Sequence, residues 1–301
     1  MATRQKVEIE GRELTLSNLD KVLYPAAGFR KADVIDYYRR VGPTMLRHLA
    51  GRPPTLVRAP DGPEGPRFFE KNCPKHHPEW IDISPGHEAT GGTKGCIIDE
   101  VPALVWLANL AALELHTHQW TFADPVHPTA MVIDLDPGEP ATIIDCCRVA
   151  VELRDTLERL DLECVVKTSG GKGLHLSVPI HGSDATDEDT KRFALALGQL
   201  LESRDPDHVL VDMKRDKRPG KVFIDWSQND RHKTTVCAYS LRLRDLPTVS
   251  TPVSWPEVEA AFDDGDADAL AFQSAAVLAR IEEHGDLYAD SLTRHQVLPA
   301  L

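Results

Sequence analysis

The stretch that decides the fold is Met131-Val-Ile-Asp134-Leu-Asp136-Pro-Gly138, an apolar run that leads into two aspartates and a turn. Apolar residues bounded by Pro-Gly predict a buried strand. Because side chains alternate along a strand, Asp134 and Asp136 point to the same face. Two ionised carboxylates there repel each other unless a cation lies between them, and carboxylate oxygens suit Mg²⁺ or Mn²⁺. A turn or a cap is the plainer explanation of Asp-x-Asp.

A second apolar run, Lys221-Val-Phe-Ile-Asp225-Trp-Ser-Gln-Asn, also ends in an aspartate. If its strand lies near the first, three carboxylates are available to hold two metal ions. A two-metal centre stabilises both the attacking and the leaving oxygen of a phosphoryl or nucleotidyl transfer. Asp134, Asp136 and Asp225 are therefore predicted to be both the catalytic residues and the metal ligands.

Between these two strands lies a glycine-rich loop, Ser169-Gly-Gly-Lys172-Gly173-Leu-His175, with apolar residues on either side. Glycines let backbone N–H groups approach an anion closely, and a lysine adds a positive charge. The loop precedes a strand rather than a helix, so it is not a Walker A motif. It predicts phosphate binding, with a flexible hairpin turn as the alternative.

The chain is acidic overall, with a formal net charge of −13, but its basic residues are clustered. Residues 1–60 contain 11 Lys/Arg against 6 Asp/Glu, and residues 211–244 contain 9 against 4, so each segment carries a net +5. Local basic surface matters more than total charge for binding a polyanion. The distribution is therefore compatible with a nucleic-acid substrate.

The composition predicts a globular protein that is neither secreted nor embedded in a membrane. With 42% hydrophobic and 27% charged residues a core is expected, and the sequence has no run of 18 apolar residues. Residues 1–6 lack the apolar region of a signal peptide. The six scattered cysteines are expected to be reduced, as in cytosolic proteins. Cytoplasmic localisation is predicted.

The periodicity around the aspartates predicts the order of the surrounding elements. The Asp-x-Asp strand is followed by a helix, two strands flanking the glycine loop, a second helix and two strands, the last ending at Asp225. This order predicts an α+β fold with mixed or antiparallel central sheets and flanking helices, rather than a doubly wound parallel sheet. A further strand is predicted over residues 236–243, and helices after residue 255.

Together, these motifs resemble the archaeo-eukaryotic primase superfamily, in particular the polymerase domain of the bacterial end-joining ligase D (LigD) and its stand-alone Prim-Pol relatives. Four further segments fit the same family: Asn18-Leu-Asp-Lys21-Val-Leu-Tyr-Pro, Phe68-Phe69-Glu-Lys, Ala112-Leu-Glu-Leu-His116 and Tyr239-Ser-Leu-Arg242-Leu-Arg244. The resemblance implies an RRM-like primase-polymerase core within a single domain, 1–301. Its N-terminal DNA-binding part would reach about residue 125, with the catalytic core over about 126–250 and a helical tail over about 251–301.

The resemblance implies a template-directed DNA/RNA polymerase, a nucleotidyltransferase that fills short gaps with a preference for ribonucleotides and uses two divalent ions, Mn²⁺ or Mg²⁺. The implied nucleotide-binding residues are His116, Ser169, Lys172, Gly173, His175, Gln228, Arg242 and Arg244. The implied DNA-binding residues are Lys21 and Lys31, which would grip a 5′-phosphate, and Phe68 and Phe69, which would stack on template bases. Consecutive strand residues face opposite ways, which leaves one phenylalanine ring for stacking unless loops cover both.

The implied partners are an NTP or dNTP and gapped or broken DNA with a 5′-phosphate, in bacterial, nucleoid-associated end joining or excision repair. The chain has no Lys-x-Asp-Gly adenylation motif, so sealing is assigned to an ATP-dependent DNA ligase in trans, with Ku as a further candidate partner. The alternative enzyme is a two-metal nuclease or phosphoesterase acting on DNA ends. A sugar-nucleotide transferase and a non-catalytic DNA-end binder also remain open. Zinc binding at His116-Thr-His118 or Cys73-Pro-Lys-His76-His77 is the less favoured interpretation of those motifs.

Overall fold

The computed structural model describes residues 4–299. Residues 1–3, part of the segment predicted to lack a signal peptide, and residues 300–301 of the predicted tail lie outside the described residues. The chain forms two compact units, each assembled from three segments. Unit 1 comprises Met1–His118, Val236–Ser250 and Gln273–Gly285, and unit 2 comprises Gln119–Thr235, Thr251–Phe272 and Asp286–Leu301. The predicted single domain with three parts stays a prediction, and in this division residues 236–250 belong to unit 1 while the tail is divided between both units.

The described residues form fourteen strands and six α-helices. The strands are β1 (Arg4–Ile9), β2 (Arg12–Ser17), β3 (Val22–Tyr24), β4 (Phe29–Arg30), β5 (Thr55–Arg58), β6 (Phe68–Glu70), β7 (Ala112–Thr117), β8 (Ala130–Pro137), β9 (Val165–Thr168), β10 (Leu174–Pro179), β11 (Val209–Leu210), β12 (Val222–Asp225), β13 (Thr235–Val236) and β14 (Pro252–Val253). The helices are α1 (Lys31–Leu49), α2 (Val101–Asn109), α3 (Ile143–Glu158), α4 (Asp187–Arg204), α5 (Trp255–Asp264) and α6 (Ser274–His284). None of these helices has the length and apolar character needed to cross a membrane.

Unit 2 is built on a six-stranded sheet with the strand order β11-β12-β8-β10-β9-β14. Neighbouring strands are antiparallel except β11 and β12, which are parallel. Along the chain the elements follow as β8-α3-β9-β10-α4-β11-β12, which is the predicted order. The mixed sheet with helices packed against it confirms the predicted α+β class.

One face of this sheet forms the hydrophobic core of unit 2. Ile133 and Leu135 of β8 and Leu176 of β10 are fully buried there, and β8 contacts both α3 and α4. Burying each such side chain contributes roughly 1.5–3 kcal/mol, and a slip of one residue would turn the whole apolar set away from the core. The register of β8 is therefore strongly fixed, and it directs Asp134 and Asp136 to the opposite face.

Unit 1 contains the four-stranded sheet β13-β7-β5-β6 and the hairpins β1-β2 and β3-β4, and α1 packs on α2. Its strand β13 ends at Val236, whereas a strand was predicted over residues 236–243. The residues that follow form turns, with an isolated bridge between Leu241 and Val249. The prediction is wrong beyond Val236 because the Ser240 hydroxyl accepts a hydrogen bond from Leu115 N, a side-chain contact in place of a continuous strand ladder.

Cys73 and Cys96 form a disulfide bond in unit 1. The backbone supports the pairing, since Cys73 N donates to Lys94 O and Cys96 pairs with Ile83 across an isolated bridge. The prediction that all cysteines are reduced is therefore wrong for this pair, and a zinc site using Cys73 is excluded in this state. The free thiols are all buried: Cys146, Cys147, Cys164 and Cys237. The pair could not be found from spacing, because the path of an irregular segment decides which cysteines meet.

Candidate active site

Three neighbouring strands of unit 2 bring the polar side chains of the candidate site into one row. Asp134 on β8 lies opposite Asp225 on β12 and opposite His175 on β10. Opposed residues of antiparallel strands have Cα atoms about 4.5–5.5 Å apart and share a face of the sheet. Asp136 follows two residues along β8 and therefore shares that face. The register thus places the predicted aspartates and His175 on one patch of the sheet.

The row continues to β9, where Lys167 lies opposite His175. Nε2 of His175 is 3.2 Å from Oδ1 of Asp134, and Nζ of Lys167 is 3.1 Å from Nδ1 of His175. Lys167 is only 3% exposed, which is rare for a lysine. Sequence reasoning missed this residue. The available signal was a lysine in the middle of the otherwise uncharged strand Val165–Thr168, in phase with Ser169.

Asp225 ends β12, and the residues that follow it hold its carboxylate. Oδ1 accepts hydrogen bonds from Ser227 N at 3.0 Å and from Ser227 Oγ, and Oδ2 accepts one from Gln228 Nε2 at 3.0 Å. Lys233 Nζ in turn donates to Ser227 Oγ. These contacts fix the orientation of the carboxylate and place Gln228, predicted to bind nucleotide, directly against it.

The carboxylates match a hard divalent ion in their donor chemistry, and strand register puts them on one face of the sheet. Asp134 and Asp225 oppose each other on adjacent strands, with Asp136 on the same face, and these oxygen ligands are the kind that Mn²⁺ and Mg²⁺ prefer. Within residues 4–299, no group of three or more His, Cys, Asp or Glu side chains is placed closely enough to form a metal cluster. Metal binding by the three aspartates therefore stays a prediction.

The glycine loop between β9 and β10 is held by Ser169. Its Oγ accepts hydrogen bonds from Gly171 N and Gly173 N, each at 3.2 Å, and its backbone N donates to Gly173 O at 2.8 Å. These contacts close the loop without a helix, as the sequence predicts. Phosphate binding by the loop stays a prediction, and the Ser169 hydroxyl gives the loop a defined shape in place of a flexible turn.

Two neighbours of Ser169 define the edges of the loop. Gly173 packs so closely on β8 that an added Cβ would lie 1.9 Å from Leu135 O, so only glycine fits there. Lys172 is exposed and pairs with Glu139, and its hydrogen bond lowers the pKa of Glu139. Because a surface ion pair of this kind contributes little, Lys172 can exchange Glu139 for a phosphate.

In unit 1, His116 and Arg242 are brought together by Glu114. Nε2 of His116 lies 2.7 Å from Oε2 of Glu114, and Arg242 Nε donates to Oε1 at 3.1 Å. Burial, which alone would raise the pKa of Glu114, is outweighed by the hydrogen bond with His116 and the charge of Arg242, so that this pKa is held at about 2. Arg244 is exposed on the following turn. Because the predicted strand over residues 236–243 ends at Val236, Arg242 and Arg244 do not lie on a strand.

The predicted DNA-binding residues of unit 1 differ in exposure. Phe68 and Phe69 lie on the edge strand β6 and are 49% and 72% exposed, so both rings are accessible rather than covered by loops. Lys21 is on the surface, where it donates to Asp61 at 2.6 Å. Lys31 is buried and donates to the Ser17 carbonyl oxygen at 2.7 Å.

Comparison with known proteins identifies the family. The LigD primase-polymerase domain matches residues 30–288. The chain is 42% identical over 276 residues to the multifunctional non-homologous end joining protein LigD of Mycolicibacterium smegmatis, an alignment that covers 91% of this chain and 35% of the relative. It is 40% identical over 302 residues to the multifunctional non-homologous end joining DNA repair protein LigD of Mycobacterium tuberculosis, covering 95% of this chain and 39% of the relative. The chain thus spans well under half the length of these relatives.

A solved structure supports the same assignment. It is the polymerase domain from Mycobacterium tuberculosis ligase D in complex with DNA, with a TM-score of 0.84 and 40% sequence identity. The match covers 93% of this chain and 97% of that chain. The predicted fold and enzyme class are confirmed, since this is a family of nucleotidyltransferases of the primase-polymerase type. The chain belongs to the LigD primase-polymerase domain family.

Proposed function

We propose that the chain is a template-directed polymerase of DNA repair, which adds nucleotides to the primer end of a short gap or broken end and prefers ribonucleotides. The observation that carries the proposal is the row Asp225, Asp134 and His175, set by strand register beside the Ser169 loop. Carboxylates beside a glycine loop with a lysine at its rim suit nucleotidyl transfer, in which metal ions and a positive charge stabilise the phosphates. Membership of the family and the DNA complex of its structural relative support the same function.

The aspartates and His175 of unit 2 are proposed to have different roles in this reaction. Asp134, Asp136 and Asp225 would hold two divalent ions, Mn²⁺ or Mg²⁺, which activate the primer 3′-hydroxyl and neutralise the leaving pyrophosphate when bound. Lys167 Nζ lies 3.1 Å from Nδ1 of His175, and Nε2 of the same ring lies 3.2 Å from Oδ1 of Asp134, so the ring lies between this lysine and this carboxylate. His175 is proposed to contact the phosphates of the incoming nucleotide from this position.

The glycine loop would position the nucleotide. Ser169 and Gly173, whose mutual hydrogen bonds set the shape of the loop, would place the Lys172 ammonium against the triphosphate, and a triphosphate held there keeps the α-phosphorus in line with the attacking hydroxyl. Gln228 donates a hydrogen bond to Asp225 and is proposed to contact the nucleotide beside this carboxylate. His116, Arg242 and Arg244 are proposed as further nucleotide contacts.

The DNA would be held by aromatic and basic residues of unit 1. Phe68 and Phe69 are exposed on an edge strand, and exposed rings stack on bases regardless of sequence. Lys21 and Lys31 would grip a 5′-phosphate. Sealing of the filled gap is assigned to an ATP-dependent DNA ligase, with Ku as the DNA-end partner, in end joining or excision repair.

Extension of a primer across a gap of one to a few nucleotides with a 5′-phosphate tests the proposed function. We expect template-directed addition with Mn²⁺ or Mg²⁺, and more product with NTPs than with dNTPs. A parallel reaction without nucleotide serves as control. Shortening of the DNA in that reaction, with no extension in the others, would contradict the polymerase and favour the two-metal nuclease.

We expect recognition of the 5′-phosphate to weaken as the pH rises through about 8. Burial, with the nearby charge of Lys21, lowers the pKa of Lys31 to about 8, so the folded protein loses this proton at a mildly alkaline pH. A dianionic phosphate prefers the protonated form, and the advantage of a 5′-phosphate over a 5′-hydroxyl should fall about tenfold between pH 7 and pH 9, the size of one charge-assisted hydrogen bond. Fluorescence anisotropy of the two gapped DNAs measures the ratio.

The control for this pH dependence is Lys31→Arg, because an arginine keeps its charge over the whole range. The variant should show a flat ratio of the two affinities. A ratio that falls equally in the wild type and in Lys31→Arg would show that another group titrates. Lys21→Ala should weaken binding of the phosphorylated DNA only.

A further inference from the structure

We propose that Glu114 is a positioning residue, which orients His116 and Arg242 together for the incoming nucleotide. The inference deepens the proposed function, since it rests on His116 and Arg242 contacting the nucleotide. It assigns a role to a residue that itself carries the wrong charge to bind a phosphate.

Strand alternation creates the first contact. Glu114 and His116 lie two residues apart on β7 and therefore share a face. The side chains meet with Oε2 of Glu114 2.7 Å from Nε2 of His116. An ionised carboxylate only accepts hydrogen bonds, and its low pKa keeps Glu114 ionised at neutral pH. The proton of His116 is therefore on Nε2, and a nucleotide that contacts this ring has to use Nδ1.

The second contact fixes the arginine. Arg242 Nε donates to Oε1 of Glu114 at 3.1 Å, and Leu243 N donates to the same oxygen at 2.7 Å. The hydroxyl of the buried Tyr24 donates to Arg242 O at 2.9 Å. Side chain and backbone of Arg242 are thus both held, and the plane of the guanidinium is set by a carboxylate that also holds His116.

The negative charge of Glu114 allows an effect of orientation to be distinguished from an effect of charge alone. Glu114 cancels the charge of Arg242, so removing its negative charge should strengthen attraction for a triphosphate if long-range charge were its only effect. If Glu114 acts by orientation, its loss should weaken binding in spite of the gained positive charge. The two explanations therefore predict opposite signs for the same substitution.

The test compares Glu114→Gln with the wild type and with Glu100→Gln. Glu100 also accepts from an arginine Nε in unit 1, at 3.0 Å from Arg12, and has no part in the proposed site. The probe is an NTP analogue with a methylene group between the α- and β-phosphorus, titrated into the protein with gapped DNA and Mn²⁺. We expect about tenfold weaker binding for Glu114→Gln, the size of one charge-assisted hydrogen bond, and unchanged binding for Glu100→Gln.

A coupling measurement distinguishes positioning from a general structural role. In a His116→Ala/Arg242→Ala background, Glu114→Gln should cause no further loss of binding, because the residues it orients are gone. A further loss of similar size in that background would overturn the proposal, as would equal or tighter binding by Glu114→Gln alone.

A spectroscopic measurement keeps the proposal testable without nucleotide. Nitrogen-15 correlation spectra should show His116 as the Nε2–H tautomer in the wild type and a mixture of tautomers in Glu114→Gln. If Glu114→Gln does not fold, Glu114→Asp, which keeps the carboxylate on a shorter side chain, should fold. It should show a partial loss of nucleotide binding and a partial shift of the His116 tautomer. A wild-type Nδ1–H tautomer would overturn the inference. Failure of the wild type to bind the analogue would instead count against the proposed function, while the tautomer would still report on Glu114.

Discussion

Replacing Asp134 with asparagine should abolish nucleotide addition while leaving the fold intact. Asp134 is the centre of the row, opposed by Asp225 on one side and by His175 on the other. Loss of a group that only supports a metal ligand costs about 10–100-fold in affinity or activity, so loss of a shared ligand should exceed about 100-fold. Single-turnover primer extension measures the loss, and titration with Mn²⁺ alone should show weaker metal binding.

The stability of Asp134→Asn should change little. The substitution relieves repulsion from Asp225 and removes the contact with His175, and such cross-strand pairs are each worth roughly 0.2–1 kcal/mol with opposite signs here. Asp184→Asn, the same chemical change at an exposed position of unit 2, is the matched control and should keep full activity. Extension at the wild-type rate by Asp134→Asn would refute the assignment.

Gly173→Ala should both destabilise unit 2 and damage nucleotide binding. The new Cβ would lie 1.9 Å from Leu135 O and 3.3 Å from Pro137 Cδ, so either the loop or β8 has to move. Overpacking of this kind costs about 1–3 kcal/mol or more, because the oxygen belongs to the backbone of a central strand and has little freedom to move. Urea denaturation should report this loss, and the KM for the nucleotide should rise because Ser169 and Lys172 are displaced with the loop.

Gly28→Ala is the control for this substitution. Gly28 has a φ of +59° and nothing within 4 Å of an added Cβ, so only backbone strain of about 1–2 kcal/mol is expected. Its activity should remain that of the wild type. An equal loss of activity in both variants would show that global stability, rather than the position of the loop, is responsible.

The sequence predicts most of the sheet that carries the site, and the reason lies in local patterns. Apolar runs that end in aspartate define β8 and β12, and the helices between them are periodic, so their order follows from sequence alone. That β8 and β12 are neighbours does not follow from these patterns. The resemblance to the primase superfamily supplied that adjacency, and the paired register of Asp134 and Asp225 agrees with it.

The features that sequence reasoning missed depend on contacts between distant segments. Lys167 lies beside His175 because β9 pairs with β10. Glu114 contacts Arg242 because the turn that carries Arg242 packs against β7. The Cys73–Cys96 bond and the burial of Lys31 have the same origin. Local periodicity predicts the face of the strand or helix on which a residue lies, but not which residue of a distant segment it contacts there.

The interleaving of the two units along the chain has a consequence for synthesis. Segments of the units alternate, so unit 1 lacks its last segment until the ribosome has passed Gly285, and unit 2 still requires residues after Asp286. Domains usually fold one after another as they emerge, from the N terminus onwards. Here unit 1 cannot be completed before most of unit 2 has been synthesised, and no single proteolytic cut can release one of the units whole.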